Sequence, residues 1–416
     1  MKRLLLIPLL ICGLGSQAQT SLDQVLATAR QNSPLSQQPA LTREISSLED
    51  ARLKSQWLPG MAINAQGTYQ SDVITFPENP MFTFPSLPQA QYRATLDVQQ
   101  PIYEGGKIAA ARQLNLLSQQ INTQQVEVDL AGMERQITQQ YFAVLQAEMQ
   151  QDVARTTLEY LAERRKSIEH AIENGVVLPG ALASLDQQVL MLRLQIQQLE
   201  AGAKSQREAL SVLCGDEGLV EAELALPEGS PSQNLENERP ELQAFQLQQA
   251  MLGQQGEVLS RNLRPTLAAF ASGGVGQPNP YNFLETDFDG FYMVGLRLNW
   301  APWDWNRTQR QQQQLELQQQ QIDLTQERFT QGVDAQVAGL RAQQASIQGQ
   351  LELGEEMETL QTKLVKQAEQ QVDLGTLTPA EYLAEVNTLT RLRQEQQLRE
   401  LQILHLEVQI QQVLGQ

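Results

Sequence analysis

Few residues of this 416-residue chain are equipped for chemistry. Its only histidines, His170 and His405, lie in helical patterns, and neither has a second ligand at metal spacing. Cys214 closes an apolar seam and is expected to be a small core residue rather than a reactive thiol. The 48 carboxylates are scattered over polar helix faces without a convincing acid/base pair. Gly105-Gly106 is no phosphate loop, because the spaced glycines, the Lys-Ser/Thr pair and the βαβ context are missing. No enzyme, metal site or cofactor is expected. Two groups keep some chemical potential. Glu381 and Glu385, four apart, share one helix face. Trp300, Trp303 and Trp305 cluster where a strand pattern gives way to a helix, as an interfacial aromatic belt or as packing of that junction.

The elements that must position these residues are long. From Trp303 to Thr378, between Pro302 and Pro379, the chain holds no proline and carries apolar residues at spacings of three, four and seven. Leu315, Ile322 and Phe329 fall seven apart; Leu353, Met357, Leu360, Leu364, Ala368 and Val372 continue the seam. A helix from about 306 to 374 would span about 100 Å at ~1.5 Å per residue, far beyond the ordinary globular length. The Gln-rich runs around 309–321 are interrupted on schedule by Leu315, Leu317, Ile322 and Leu324, which favours a solvated helix face over an aggregation-prone tract.

Composition narrows the setting. Lys2-Arg3, the apolar run Leu4–Leu14 and Ser16-Gln17-Ala18 have the form of a secretory signal peptide, so residues 1–18 are expected to be removed before Gln19. A lipid anchor at Cys12 is disfavoured because Ile11 stands where a small residue is required. The net charge is −18, and −20 once the two basic residues of the leader are gone. That balance argues against nucleic acid and against an anionic membrane face as partners. Cys214 alone would remain, so no intramolecular disulfide is possible. No mature segment approaches 18 consecutive apolar residues, so entry into a membrane would have to use strands.

The strands are legible as period-two alternation. Met61, Ile63, Ala65, Gly67, Tyr69, Ser71 and Val73 alternate with polar residues over 61–73. Tyr92, Ala94, Leu96 and Val98 do so over 91–100. A weaker strand is expected at 266–273, and a clear one at 291–300 through Tyr292, Val294, Leu296, Leu298 and Trp300. Each is about the length of a tilted membrane strand, and a soluble hairpin with one solvated face fits the same alternation equally well. A helical stretch broken at Pro34 precedes the first strand, and Phe76, Phe82, Phe84, Tyr281, Phe283 and Phe288 lie in the connecting loops, suited to an outer girdle or to folding over a barrel mouth.

The second half repeats the first. Lys166, Glu169, Glu173, Gly175 and Pro179 are answered 200 positions on by Lys366, Glu369, Asp373, Gly375 and Pro379; Gly215 is answered by Gly415. Pro302 answers Pro101, and the long helices are nearly equal in length. The expected order is residues 19–215 as a first repeat with a long helix at 106–174 and a second at 179–213. A connector follows at 216–238, then a second repeat at 239–416 with helices at 306–374 and 379–414. The fold class is α+β, mostly α, internally duplicated. Four strands cannot close a barrel, and an open sheet edge is not viable in lipid, so if these strands enter a membrane, several chains would have to share one barrel.

The order of elements, the Arg239-Pro240-Glu241-Leu242 restart, the Pro101-Ile102-Tyr103-Glu104-Gly105-Gly106-Lys107 turn and the glycine-marked turns at Gly175 and Gly375 together resemble the TolC family of outer-membrane efflux proteins, over nearly all of the mature chain. The resemblance implies a homotrimer in the outer membrane of a Gram-negative type envelope, with a twelve-stranded transmembrane β-barrel and a coiled-coil tunnel through the periplasm. It also implies docking on a periplasmic adaptor and an inner-membrane transporter for efflux or type I secretion. It places a tunnel entrance at the turns Glu173–Pro179 and Asp373–Pro379, with Glu173, Asp373, Glu381 and Glu385 as candidates for an acidic, cation-favouring ring. The plain alternative for these acids is solvated helix-start carboxylates beside a favourable helix dipole. Where the family often has a second acid, this chain has Ala384, and Ala181 and Leu185 occupy the matching places in the first repeat, so any ring would be asymmetric. The rival function, a structural or adhesive coiled-coil surface protein, predicts sustained heptads without duplicated strand pairs. A periplasmic adaptor would need β-rich domains around a single hairpin.

Overall fold

The computed structural model describes residues 19–74, 86–175, 178–227, 236–282 and 285–416. The expected leader with Cys12, and the loop residues Phe76, Phe82, Phe84 and Phe283, lie outside the described residues. The elements run α1 (Leu22–Asn32), α2 (Gln38–Ser55), β1 (Gly60–Tyr69), β2 (Ala90–Tyr103), α3 (Lys107–Glu173), α4 (Gly180–Cys214), α5 (Pro240–Arg261), β3 (Thr266–Gln277), β4 (Asp289–Asn299), α6 (Arg307–Asp373) and α7 (Pro379–Leu414). Two compact units result, and neither is one of the sequence repeats. One comprises 38–125 and 242–327; the other comprises the chain up to 37, 126–241 and 328–416. Among the described residues no helix is long and apolar enough to cross a membrane.

The first unit holds one antiparallel sheet in the order β1-β2-β3-β4. Its register gathers the alternation of every strand onto common faces. Met61, Ile63, Ala65 and Gly67 lie opposite Val98, Leu96, Ala94 and Tyr92. Leu267, Ala269, Ala271 and Gly273 lie opposite Leu298, Leu296, Val294 and Tyr292 on the same side. This apolar face is uncovered: Ile63 is 82% and Tyr292 81% exposed, and Val294, Leu296 and Leu298 are exposed as well. Each such side chain left in water forgoes about 1.5–3 kcal/mol of burial. The opposite face is polar and internally bonded. Asp97 accepts hydrogen bonds from Asn64 Nδ2 (2.6 Å), Thr95 Oγ1 (3.0 Å) and Ser272 Oγ (2.5 Å).

Beside the sheet, glutamine amides tie the helices of this unit together. Gln312 and Gln319, seven apart on α6, donate to the backbone carbonyls of Gly256 (3.3 Å) and Gln249 (3.1 Å) on α5, and Gln254 donates to Ala110 on α3 (3.0 Å). The Gln-rich run is therefore only partly the solvated face expected of it, since Gln312 and Gln319 are cross-helix donors.

In the second unit the apolar seams meet in three clusters. Leu22, Val25 and Ala29 of α1 pack with Ile137, Tyr141 and Leu145 of α3, Leu210 and Cys214 of α4 and Leu401 of α7. Tyr141, fully buried, directs its hydroxyl at the carbonyl oxygens of Ala225 (2.6 Å) and Thr20 (2.9 Å), anchoring the N-terminal segment. Burial, with the Asp216 carboxylate nearby, pushes the Cys214 thiol up to about 11, which fits a core residue and not a nucleophile. A second cluster joins Leu161 and Ile168 of α3, Leu185 and Leu192 of α4, Val365 and Val372 of α6 and Tyr382 and Leu389 of α7. The third joins Val333 and Val337 of α6 to Ile410 and Val413 of α7.

Three expectations need correction. The seam of α6 divides. Ala368 and Val372 are buried with Val365, whereas Leu353, Met357, Leu360 and Leu364 are exposed, because α7 covers a neighbouring stripe that includes Ile347, Gln361 and Val365. Leu41, Ile45 and Leu48 of α2 are likewise uncovered. The third strand does not stop at 273 but runs through Gly273, Gly274 and Gly276 to Gln277, a glycine run that propensity alone reads as a loop. The first strand ends at Tyr69 rather than at 73, because β2 begins opposite it at Ala90.

The glycine run has a steric reason. A Cβ on Gly274 would stand 2.0 Å from the carbonyl oxygen of Ala94 on β2, while one on Gly273 would meet nothing closer than 3.8 Å. Gly274→Ala is therefore expected to lower stability by about 1–3 kcal/mol or more, and Gly273→Ala to leave it nearly unchanged, as read by thermal unfolding in far-ultraviolet circular dichroism. Equal effects of the two would mean that β3 does not approach β2 in this way.

Candidate functional site

The residues singled out from the sequence fall in three places: two helix–helix turns, two strand–helix turns and the aromatic junction beside β4. At the helix–helix turns, Gly175 and Gly375 take left-handed backbone with φ of 74° and 73°, the conformation glycine adopts at no side-chain cost. The Gly375 amide donates to the Val372 carbonyl (3.0 Å) and the Thr376 amide to the Gln371 carbonyl (2.8 Å), which satisfies the last carbonyls of α6. Gly215 and Gly415 end α4 and α7 in the same conformation, so the 200-residue offset read from sequence is an equivalence of backbone geometry. Residues flanking both turns, Ile172, Ala181, Val372 and Leu377, belong to the second unit's α3/α4/α6/α7 core.

The re-entering helices differ. In the second repeat Thr378 is the N-cap of α7 with Pro379 in its first turn. The Glu381 amide donates to Thr378 Oγ1 (3.3 Å), and the Glu381 carboxylate accepts from the Thr378 amide (3.0 Å) and hydroxyl (2.7 Å). This is a complete capping box. The hydroxyl's hydrogen bond, with that of the amide, holds the Glu381 carboxyl below the usual range, so it stays ionised and solvent-facing. In the first repeat Pro179 is the N-cap of α4 and makes no side-chain cap, and the residue before it, Leu178, is exposed.

The other acids are less alike than the sequence implies. Glu385 accepts from Gln361 Nε2 on α6 (2.5 Å), and the same amide reaches the Glu385 carbonyl (3.1 Å), so this carboxylate is tied across the hairpin. Glu173 is exposed at the end of α3, with its carboxylate 3.3 Å from His170 Nδ1. Asp373 is the last residue of α6, and its side chain lies outside the described residues. Glu381 and Glu385 thus share a helix, while no contact joins them to Glu173 among the described residues.

Sequence reasoning passed over two residues at the centre of this region. Tyr382 is fully buried, and the Arg164 guanidinium, 7% exposed, lies 4.7 Å from its ring centre. Arg164 also approaches Glu369 of α6 at 4.0 Å. An arginine inside an apolar seam next to Leu161 and Ile168 was the available signal.

At the strand–helix turns, Gly105 and Gly106 have φ of 63° and 83°, and a Cβ on Gly105 would stand 2.9 Å from Arg264 Cβ. The second repeat makes the same left-handed pair with Trp305 (φ 57°) and Asn306 (φ 60°), each 200 residues on. A tryptophan in this backbone region is strained. Pro101 lies six residues before α3 and Pro302 five before α6; the difference is absorbed by a register shift of β2 between Pro101 and Tyr103. The three tryptophans are all exposed. Trp300 donates its indole N–H to the Leu263 carbonyl (3.1 Å), and Trp303 and Trp305 meet edge to face with centroids 5.8 Å apart. At the far end of the sheet the loop aromatics divide. Phe288 stacks on Tyr92 of the apolar face, while Tyr281 meets Phe291 of the polar face.

No protein-family model matches the chain, and no curated protein matches it in sequence. Solved structures do match. The chain is similar to the outer-membrane protein VceC of Vibrio cholerae, with 13% identity and a TM-score of 0.68 over 95% of this chain and 96% of that one. It is similar to the CmeC outer-membrane channel of Campylobacter jejuni, with 14% identity and a TM-score of 0.65 over 95% and 85%. The MtrE outer-membrane channel of Neisseria gonorrhoeae, solved in an open state, gives 13% identity and a TM-score of 0.64 over 95% and 88%. With its duplicated long helices and single four-stranded antiparallel sheet, the chain has the α+β, mostly helical fold of the TolC-like outer-membrane channels.

Proposed function

We propose that this protein is the outer-membrane channel of a tripartite efflux or type I secretion system. Three copies would form a twelve-stranded barrel and a helical tunnel through the periplasm. The sheet is the observation that carries this reading. Its apolar face is exposed, its polar face is hydrogen-bonded, and β1 and β4 each leave one edge without a partner among the described residues. In water the apolar face would be a large aggregation-prone patch. In lipid the edges would cost several kcal/mol for each unpaired backbone group. Pairing β4 of one copy with β1 of the next removes both liabilities at once. The uncovered stripes on α2 and α6 fit helices that need neighbours from other chains, and the likeness to outer-membrane channels supports the location. A periplasmic adaptor and an inner-membrane transporter are the partners such a duct requires. The adhesive coiled-coil alternative leaves the sheet unexplained.

Protein purified from outer-membrane fractions is expected to have the mass of three chains and to conduct ions in a planar bilayer. A soluble monomer without conductance would overturn the reading. The assignment of faces has its own test. Leu296→Arg, on the apolar face, should impair membrane insertion at a cost of about 2–4 kcal/mol near the bilayer midplane, whereas Asn64→Arg on the polar face should insert normally. Comparable insertion of the two variants would contradict a lipid-facing apolar side.

For the entrance we propose that Glu381 contributes negative charge, with Glu173, Asp373 and Glu385 in secondary roles. Glu381→Gln should lower cation over anion selectivity; an unchanged reversal potential in a salt gradient would exclude Glu381 from the entrance. The carboxyl's folded-state pKa is lowered, so its contribution to the α7 cap is complete above the ordinary carboxylate range and is lost as pH falls through the lowered value. Amide protection factors at the start of α7, corrected for the intrinsic pH dependence of exchange, should fall on acidification in the wild type and less so in Glu381→Gln.

A further inference from the structure

The polar face of the sheet carries a built feature near the strand–helix turns. The ring of Phe270 on β3 reaches Gly295 of β4, where a Cβ would stand 2.8 Å from it, and the Arg297 guanidinium lies 5.0 Å from the ring centre. No hydrogen bond or ion pair holds Arg297 among the described residues, so its donor fork is stacked in place but chemically unspent. Asp97 of β2 is held rigid by Asn64, Thr95 and Ser272 and keeps its charge on the same face. Asp97, Ser272, Phe270, Gln99, Ala62 and Arg297 border one open cavity of about 410 Å³, within the usual range for small-molecule sites.

Spacing decides what such a cavity suits. Asp97 pairs with Ser272 and Ser272 with Met293, four residues from Arg297 along β4. Strand separation of ~4.8 Å and a rise of ~3.3 Å per residue put the Asp97 and Arg297 Cα atoms about 16 Å apart. Arg297 then leans back over Phe270, which is two residues from Ser272, and shortens the gap between the charges. A net anion placed here meets Asp97, a net cation meets Arg297, and an uncharged ring uses neither. We propose that this cavity is a transit site on the channel wall for elongated zwitterions with an apolar middle, of which short peptides with free termini are the simplest example. The carboxylate would take the Arg297 fork, the ammonium would face Asp97, and the apolar centre would lie along Phe270. This inference rests on the channel reading, which makes the polar face the wall of the lumen.

The test is an isosteric series on the full-length protein. Glycyl-phenylalanyl-glycine spans about 10 Å extended; its N-acetyl form is an anion and its C-terminal amide a cation. Partial block in planar bilayers, and saturation-transfer NMR on the detergent-purified oligomer, should both favour the zwitterion by roughly tenfold or more, the value of one charge-assisted hydrogen bond. Arg297→Gln should abolish discrimination against the amide, and Asp97→Asn discrimination against the N-acetyl form. Phe270→Leu should weaken all three peptides alike. Should Asp97→Asn fail to assemble, Arg297→Gln alone decides. Equal binding of the three peptides, or Arg297→Gln binding like the wild type, overturns the transit site while leaving the channel intact. A wild-type protein that does not conduct, yet still prefers the zwitterion by NMR, overturns the channel reading and keeps the site.

Discussion

A backbone amide or carbonyl in hydrocarbon must have a partner, and the proposed role of this sheet turns on that requirement. Two strands come from each sequence repeat, and the sheet they form is satisfied internally across three interfaces but not at β1 or β4. In the proposed channel one chain cannot resolve those edges, and its four strands would be one part of a shared barrel. The exposed apolar face follows from the same constraint. The alternation that would expose half of a soluble strand to water here exposes the half that lipid would cover.

The helices meet the constraint differently. Their backbone is satisfied along its own axis, so what they lack is lateral partners, and their seams are too thin to supply much. Glutamine fills the gap. Gln312 and Gln319 on α6, and Gln361 and Gln396 reaching the carbonyls of Glu385 and Leu351 between α6 and α7, each donate to a backbone carbonyl on a neighbouring helix. Such a carbonyl has a second lone pair to give. These contacts allow long helices to be held side by side without a continuous greasy stripe.

Much of this was legible in the sequence because it rests on local physics. The two long helices show in the absence of proline and the 3–4–7 spacing, the strands in their period of two, and the turns in glycines that recur at an offset of 200. The misses share another cause. Gly273–Gly276 reads as a loop because the steric reason for its Gly274 lies on β2, at the Ala94 carbonyl. Leu353, Met357, Leu360 and Leu364 read as one seam with Ala368 and Val372, since periodicity cannot say which of two adjacent stripes α7 will cover. Trp305 could have been placed in the left-handed turn only by trusting the offset over the residue type. Of the candidate entrance acids, Glu381 proved to belong to a capping box, a pattern present in Thr378-x-x-Glu381 and passed over in favour of charge.

The sequence by itself determined the elements, their duplication and the apolar or polar character of each face, because these depend on residues a few positions apart. It also determined that, if these strands enter a membrane, several chains must share one barrel, since four strands cannot close on themselves. Only the tertiary structure decided which faces coincide, because register between β2 and β3, some 175 residues apart at the Asp97–Ser272 bond, is set by packing and steric approach and not by any local pattern. That register places Asp97, Phe270 and Arg297 around one cavity, and it leaves β1 and β4 at the two edges of the sheet.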